Sequence, residues 1–87
     1  MLRSFRLRYT PESFESISKL PANLKKIAER VLLQIAQEPL SGKRLAGKFK
    51  GIYSERVTRR YRILYMIKHT EQEVIILDLK LRRDAYD

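Results

Sequence analysis

Gly51-Ile52-Tyr53-Ser54-Glu55-Arg56-Val57-Thr58-Arg59-Arg60-Tyr61-Arg62-Ile63-Leu64-Tyr65 is the stretch whose reading decides the fold. Its side chains alternate with the period of two that a pleated strand imposes. Ser54, Arg56 and Thr58 fall on one side of a first strand, with Tyr53, Glu55 and Val57 on the other. In the second run Arg62, Leu64 and Met66 share a side opposite Tyr61, Ile63, Tyr65 and Ile67. Thr58-Arg59-Arg60 between them reads as a turn, so the two runs form an antiparallel hairpin with Arg56 and Arg62 on the same face. Like charges facing each other weaken a strand pair, and a guanidinium matches the geometry of a phosphate, so the arrangement points to anion binding. The alternatives are that each arginine lays its stem on the sheet with its head in water, or pairs with Glu55 or Asp78.

Outward from this hairpin the strands read as Ile52 to Val57, Tyr61 to Lys68 and Glu73 to Lys80, the last two joined by a polar turn around His69 to Gln72. Leu40 to Lys50 is a loop by its Ser41-Gly42 pair, its Gly47 and its charge, with Leu45 as its anchor into the core. Before it, Leu24, Ile27, Ala28, Val31, Leu32, Ile35 and Ala36 follow helical spacing, which predicts a helix from Pro21 to Gln37 ended by Glu38-Pro39. A shorter helix begins at Pro11, with Thr10 as N-cap, Glu12 in the first turn, and Phe14 and Ile17 on its core side. Phe5, Leu7 and Tyr9 alternate with Ser4, Arg6 and Arg8, giving an N-terminal strand with one apolar and one basic face. Neither helix is stable alone, so the two are expected to lie together as a hairpin on one face of the sheet. The expected fold is therefore α+β: an N-terminal strand, a helical hairpin, then an antiparallel three-stranded meander, in a single domain over 1–87.

The balance of 44% hydrophobic and 33% charged residues excludes both a disordered chain and a membrane-spanning one. Met1 is followed by Arg3, Arg6 and Arg8 without an apolar core for a signal segment, and there is no cysteine, so the expected location is the cytoplasm. The net charge is +9, and from Lys43 to Arg62 eight basic residues meet one acid, Glu55. That concentration favours phosphate-rich partners through counterion release, or an acidic protein through steering. The one histidine, His69, reads as an exposed turn residue. With no cysteine beside it, zinc ligation, thiol catalysis and a paired-histidine ribonuclease site are ruled out. Scattered carboxylates and the absence of a glycine-rich loop before a helix argue against a two-metal nuclease and against an NTPase. No cofactor and no metal is expected.

Four motifs taken in order, Leu45-Ala46-Gly47, Tyr53 to Val57, Tyr61 to Tyr65, and Arg83 to Tyr86 preceded by Arg82, resemble the RelE/ParE superfamily of bacterial type II toxins across almost the whole chain. The resemblance implies the same element order as above. For the RelE branch it implies a ribosome-dependent endoribonuclease that cuts mRNA without a metal, by attack of a ribose 2'-hydroxyl on the adjacent phosphate. For the ParE branch it implies a protein that poisons DNA gyrase. By position, Arg62 matches the phosphate-gripping arginine, Arg56 the basic residue of the preceding strand, Arg82 the arginine after the last strand, and Tyr86 the C-terminal tyrosine. Lys48, Lys50, Arg59, Arg60 and Arg83 are then expected RNA contacts. Ser54 stands where active ribonucleases often carry lysine or arginine, and Leu81 where many members have histidine. The general base is thus left open between Tyr86, a lysine such as Lys48, and solvent. The implied partners are a cognate antitoxin, and the ribosome with mRNA or, in the alternative, gyrase.

Overall fold

A computed structural model describes residues 4–81. Strand β1 (Arg6–Tyr9) leads into helices α1 (Pro11–Ser18) and α2 (Ala22–Gln37), followed by a two-residue strand β2 (Lys43–Arg44) and strands β3 (Tyr53–Arg56), β4 (Tyr61–Lys68) and β5 (Glu73–Leu81). Short 3-10 turns at Pro39–Ser41 and Gly47–Phe49 flank β2. The sheet order is β1-β5-β4-β3-β2. β1 runs parallel to β5 and every other neighbour is antiparallel. The expected meander is present, and the sheet has one strand more than expected. Lys43 and Arg44 pair with Ser54 and Tyr53 in what reads from sequence as loop. Both β2 residues are exposed, so no alternation of apolar side chains marks them, and they pair with the edge of β3 beside the buried Leu45.

Thr10 caps α1 as its sequence predicts: its Oγ1 accepts from Ser13 N at 3.1 Å and donates to the Leu77 carbonyl at 2.8 Å. One side chain therefore stops the strand, starts the helix and ties both to β5. Of the two residues expected on the core side of α1, Ile17 is in the core and Phe14 is a correction. Phe14 is 65% exposed, while Ser13 and Ile17 are buried. Ser13 and Ile17 stand one turn apart, and Phe14 is rotated about 100° from Ser13. Ser13 tolerates burial because its Oγ donates to the Thr10 carbonyl at 3.0 Å.

α2 buries Ala28, Val31, Leu32, Ile35 and Ala36. With Ile17 they cover Ile63, Tyr65, Val74, Ile76 and Leu79 on one face of the sheet. After α2 the chain passes over Tyr65, whose fully buried hydroxyl donates to the Pro39 carbonyl at 2.6 Å. Any side chain at Gly42 would collide with that same hydroxyl, so glycine is needed there for space. Gly51, at φ +94°, supplies the left-handed turn that delivers the chain to β3.

β5 carries a bulge: Leu64 pairs with Asp78 but Tyr65 pairs with Ile76, leaving Leu77 as the extra residue. The bulge reverses the alternation midway along the strand. Val74 and Ile76 before it and Leu79 after it all reach the helix-covered face, and Lys80 emerges on the other. That other face has a small cluster of its own, Leu45 on Leu64 with Phe49, Ile52 and Leu77. Leu45 is an anchor, as its sequence suggests, on the side away from the helices. No helix among the described residues is long and apolar enough to cross a membrane.

Candidate functional site

The helix-free face of the sheet collects the cations. Arg56 lies directly opposite Arg62 across β3 and β4, and Arg62 lies directly opposite Lys80 across β4 and β5. Partners in register point to the same side, so three cationic side chains form one row across three adjacent strands. At about 4.8 Å between strands the row is roughly 10 Å wide at the backbone. The next row inward is Ser54, Leu64 and Asp78.

Arg62 occupies the middle and is the most constrained of the three. It is half-buried, and its Nη1 donates to Ser54 Oγ at 3.3 Å. Ser54 itself is 1% exposed. A serine read from sequence as a missing base is thus a short, buried acceptor that orients a guanidinium. Arg56 and Lys80 are exposed. Lys80 Nζ lies 3.7 Å from Asp78 Oδ2. The Asp78 carboxylate is pinned by Ser16 Oγ at 3.1 Å and by Leu79 N at 2.8 Å. Glu55, the other acid offered by the sequence as an arginine partner, is on the opposite face, in register with Ile63.

The remaining candidates divide by location. Lys48 and Lys50 ride on the segment that covers Leu64, with Lys48 Nζ 5.3 Å from the centre of the Phe49 ring. Arg59 and Arg60 are exposed at the hairpin tip. Thr58 Oγ1 shapes that tip by accepting from Arg60 N at 3.2 Å and Tyr61 N at 3.3 Å. Arg82, Arg83 and Tyr86 lie outside the described residues. Lys80 is the member of the row that sequence reasoning missed. Counted by strict alternation from Val74 and Ile76 it belongs under the helices, and only the bulge at Leu77 brings it beside Arg62.

The tyrosines of the hairpin serve packing. Tyr53 and Tyr65 stack with ring centres 5.5 Å apart and planes 16° from parallel. Burial, and secondarily the charge of Glu55, pushes the Tyr65 hydroxyl far above the usual range for tyrosine, so it stays protonated. His69 is exposed in the β4–β5 turn, where its carbonyl accepts from Gln72 N at 3.1 Å. Among the described residues no group of three or more His, Cys, Asp or Glu side chains is placed to hold a metal ion. The face is therefore equipped to bind an anion and to stabilise charge developing on it.

Known structures share this architecture. The RelBE2 toxin–antitoxin complex of Mycobacterium tuberculosis contains a chain that superposes with a TM-score of 0.83 at 27% identity, over 94% of this chain and 95% of that one. A YoeB/ParE toxin from Agrobacterium tumefaciens aligns with a TM-score of 0.79 at 18% identity, over 88% and 98%. The intact RelBE complex of E. coli aligns at 0.77 and 16% identity, over 88% and 95%. No curated protein matches the chain by sequence. The family model for the ParE toxin of the type II toxin–antitoxin system parDE matches residues 6–86. With that match over nearly its whole length and the fold of the RelE and YoeB structures, the chain belongs to the RelE/ParE superfamily and is a type II toxin.

Proposed function

We propose that this toxin is a RelE-like endoribonuclease that cleaves mRNA on the ribosome without a metal. The observation that carries the reading is the Arg56–Arg62–Lys80 row, with its central guanidinium seated on buried Ser54. In the reaction the ribose 2'-oxygen forms a bond to the neighbouring phosphorus while the bond to the 5'-oxygen of the next nucleotide breaks. The products are a 2',3'-cyclic phosphate and a 5'-hydroxyl. Negative charge grows on the non-bridging oxygens as the phosphorus becomes five-coordinate. Arg62 holds those oxygens, and Arg56 and Lys80 flank it, each with a charge that strengthens the interaction as the transition state forms. Because Arg62 is already oriented by Ser54, little reorganisation is needed at the moment of reaction.

Proton transfer needs a group that changes its protonation state, and an arginine does not. Tyr86 is the nominated group, and Arg82 is a further cation for the leaving side. Lys48, Lys50, Arg59, Arg60 and Arg83 supply sequence-independent contacts to RNA backbone. A cognate antitoxin is the inhibitory partner, by likeness to the complexes of the RelBE type. An acidic segment folding over the row would neutralise it.

One observation favours a second reading, inhibition of DNA gyrase: the family model that matches is that of the ParE toxin. The two readings separate in a paired assay. RNA ends are mapped in a translating extract after adding the toxin, and gyrase supercoiling is followed beside it. Cuts confined to translated frames with gyrase unaffected support the ribonuclease. Intact mRNA with accumulating gyrase-dependent DNA breaks overturns it.

A further inference from the structure

The same open face carries a second basic end that none of the reaction chemistry uses. Arg6 pairs in register with Glu73 and Arg8 with Ile75, while Lys68 is in register with Glu73 from the other side. All three cations therefore point to the face that holds Arg62 and Lys80. Glu73, 8% exposed, binds Arg6 Nη2 at 3.0 Å and Arg8 Nη1 at 3.4 Å. The two arginine side chains nevertheless remain 72% and 61% exposed, and Lys68 is exposed as well. One buried carboxylate positions this cluster and leaves it with a net positive charge of about two. Between the two basic ends the face carries Met66 opposite Ile75, then Leu64 and Leu77 packed under Leu45, Phe49 and Ile52, with Asp78 as its one acid among the described residues. From Arg62 to Lys68 along β4 is roughly 20 Å at about 3.3 Å per residue.

We infer that the Arg6–Arg8–Lys68 end is a second backbone-phosphate site, and that one RNA strand spans the open face from the Arg62 row to this end. The inference rests on the ribonuclease reading for its ligand and adds to it where the strand goes. Two cationic ends separated by a mostly apolar stretch around Met66 and Ile75 suit a polymer that presents charge along its backbone and flat apolar surface in its bases. A span of roughly 20 Å asks for about four or more nucleotides, the size typical of single-strand binders. An acidic protein segment would match the charge as well, and RNA is favoured because this end shares its face with the Arg62 row that the ribonuclease reading assigns to RNA.

The test measures binding of 2'-O-methyl oligouridylates, which cannot be cleaved, three and twelve nucleotides long, by fluorescence anisotropy across a salt series. The variants are Lys68→Ala, and Arg6→Ala with Lys68→Ala, both of which leave Arg8 to satisfy Glu73. Thermal melts check that each is folded. The double variant should bind the twelve-mer about tenfold more weakly at ~0.1 M salt, with a log–log salt slope shallower by about 1.4, as loss of two phosphate contacts requires. Lys68→Ala, which removes a side chain outside the Glu73 ion pairs, should show about half that change in slope. The trinucleotide, too short to join the two ends, should change by no more than a statistical factor of about two.

Wild-type affinity and slope retained in folded variants would overturn the inference while leaving the ribonuclease reading intact. Absence of wild-type binding to either oligonucleotide would overturn both. If a twelve-residue polyglutamate binds as tightly as the twelve-mer and loses the same factor in the variants, the end is a protein-docking surface and the RNA assignment is wrong.

Discussion

The two faces of β4 are made by the same residues in alternation and are opposite in kind. Ile63 and Tyr65 are fully buried beneath the helices, whereas Arg62 and Met66, their neighbours in the chain, face the open side. On the covered face stability comes from close packing, with Tyr65 stacked on Tyr53 and bonded to Pro39. On the open face two arginines and a lysine stand in register with one another, an arrangement that repulsion opposes. The fold tolerates that repulsion because the covered face holds the strands in place. Apart from the small cluster around Leu64, the packing and the proposed phosphate chemistry therefore lie on opposite sides of one hairpin, and substitutions on the two sides should fall into two classes.

The largest effect expected on stability is that of Ile63→Ala, which empties a fully buried site between α2 and the sheet. It should lower unfolding free energy by about 2 to 5 kcal/mol, measured by urea denaturation. A loss below about 1 kcal/mol would mean that the covered face is not the core described above. Next comes Tyr65→Phe, which removes the bond to Pro39 and leaves its carbonyl buried without that donor. A loss of about 1 to 3 kcal/mol is expected in the same measurement, with RNA affinity unchanged. Loss of affinity at full stability would blur the division between the faces.

Ser54→Ala probes the boundary. The position is buried, yet its hydroxyl serves the open face by accepting from Arg62. Cleavage should fall by roughly tenfold, equivalent to about 1.4 kcal/mol in the barrier, because the guanidinium loses the acceptor that orients it. The melting temperature should change much less than in Tyr65→Phe. An unaltered cleavage rate would show that Arg62 needs no such support. The smallest effect is expected for Phe14→Ser, at the exposed face of α1. Its unfolding free energy should stay within about 0.5 kcal/mol of the parent. A larger loss would restore Phe14 to the core.

What the sequence made legible follows from how regular each element is. The α2 stripe from Leu24 to Ala36 and the β4 alternation from Tyr61 to Ile67 declare both element type and buried side. Thr10-Pro11 marks the start of α1 through chemistry specific to a helix N-terminus. The pairing of Arg56 with Arg62 was legible because a hairpin fixes its own register. Three features were not. Two exposed cations at Lys43 and Arg44 carry no pattern by which a strand could be recognised. In α1 the buried place goes to Ser13, a polar residue satisfied by the backbone of Thr10, and the exposed one to Phe14. The bulge at Leu77 has no side-chain signature in a run of five apolar residues, Val74 to Leu77 and Leu79, interrupted by Asp78. Missing it misplaces Lys80, and with it a third of the cationic row.

In the proposed reaction Arg62 acts as a preorganised guanidinium that adds little to the packing holding the domain together. The direct measurement is single-turnover cleavage of a ribosome-bound mRNA by Arg62→Ala, with the melting temperature of the same sample. The rate should be lower by about 10² to 10³, equivalent to about 2.7 to 4 kcal/mol in the barrier, from a protein that melts within a few degrees of the parent. Cleavage at the parental rate by the folded variant would contradict that role of Arg62.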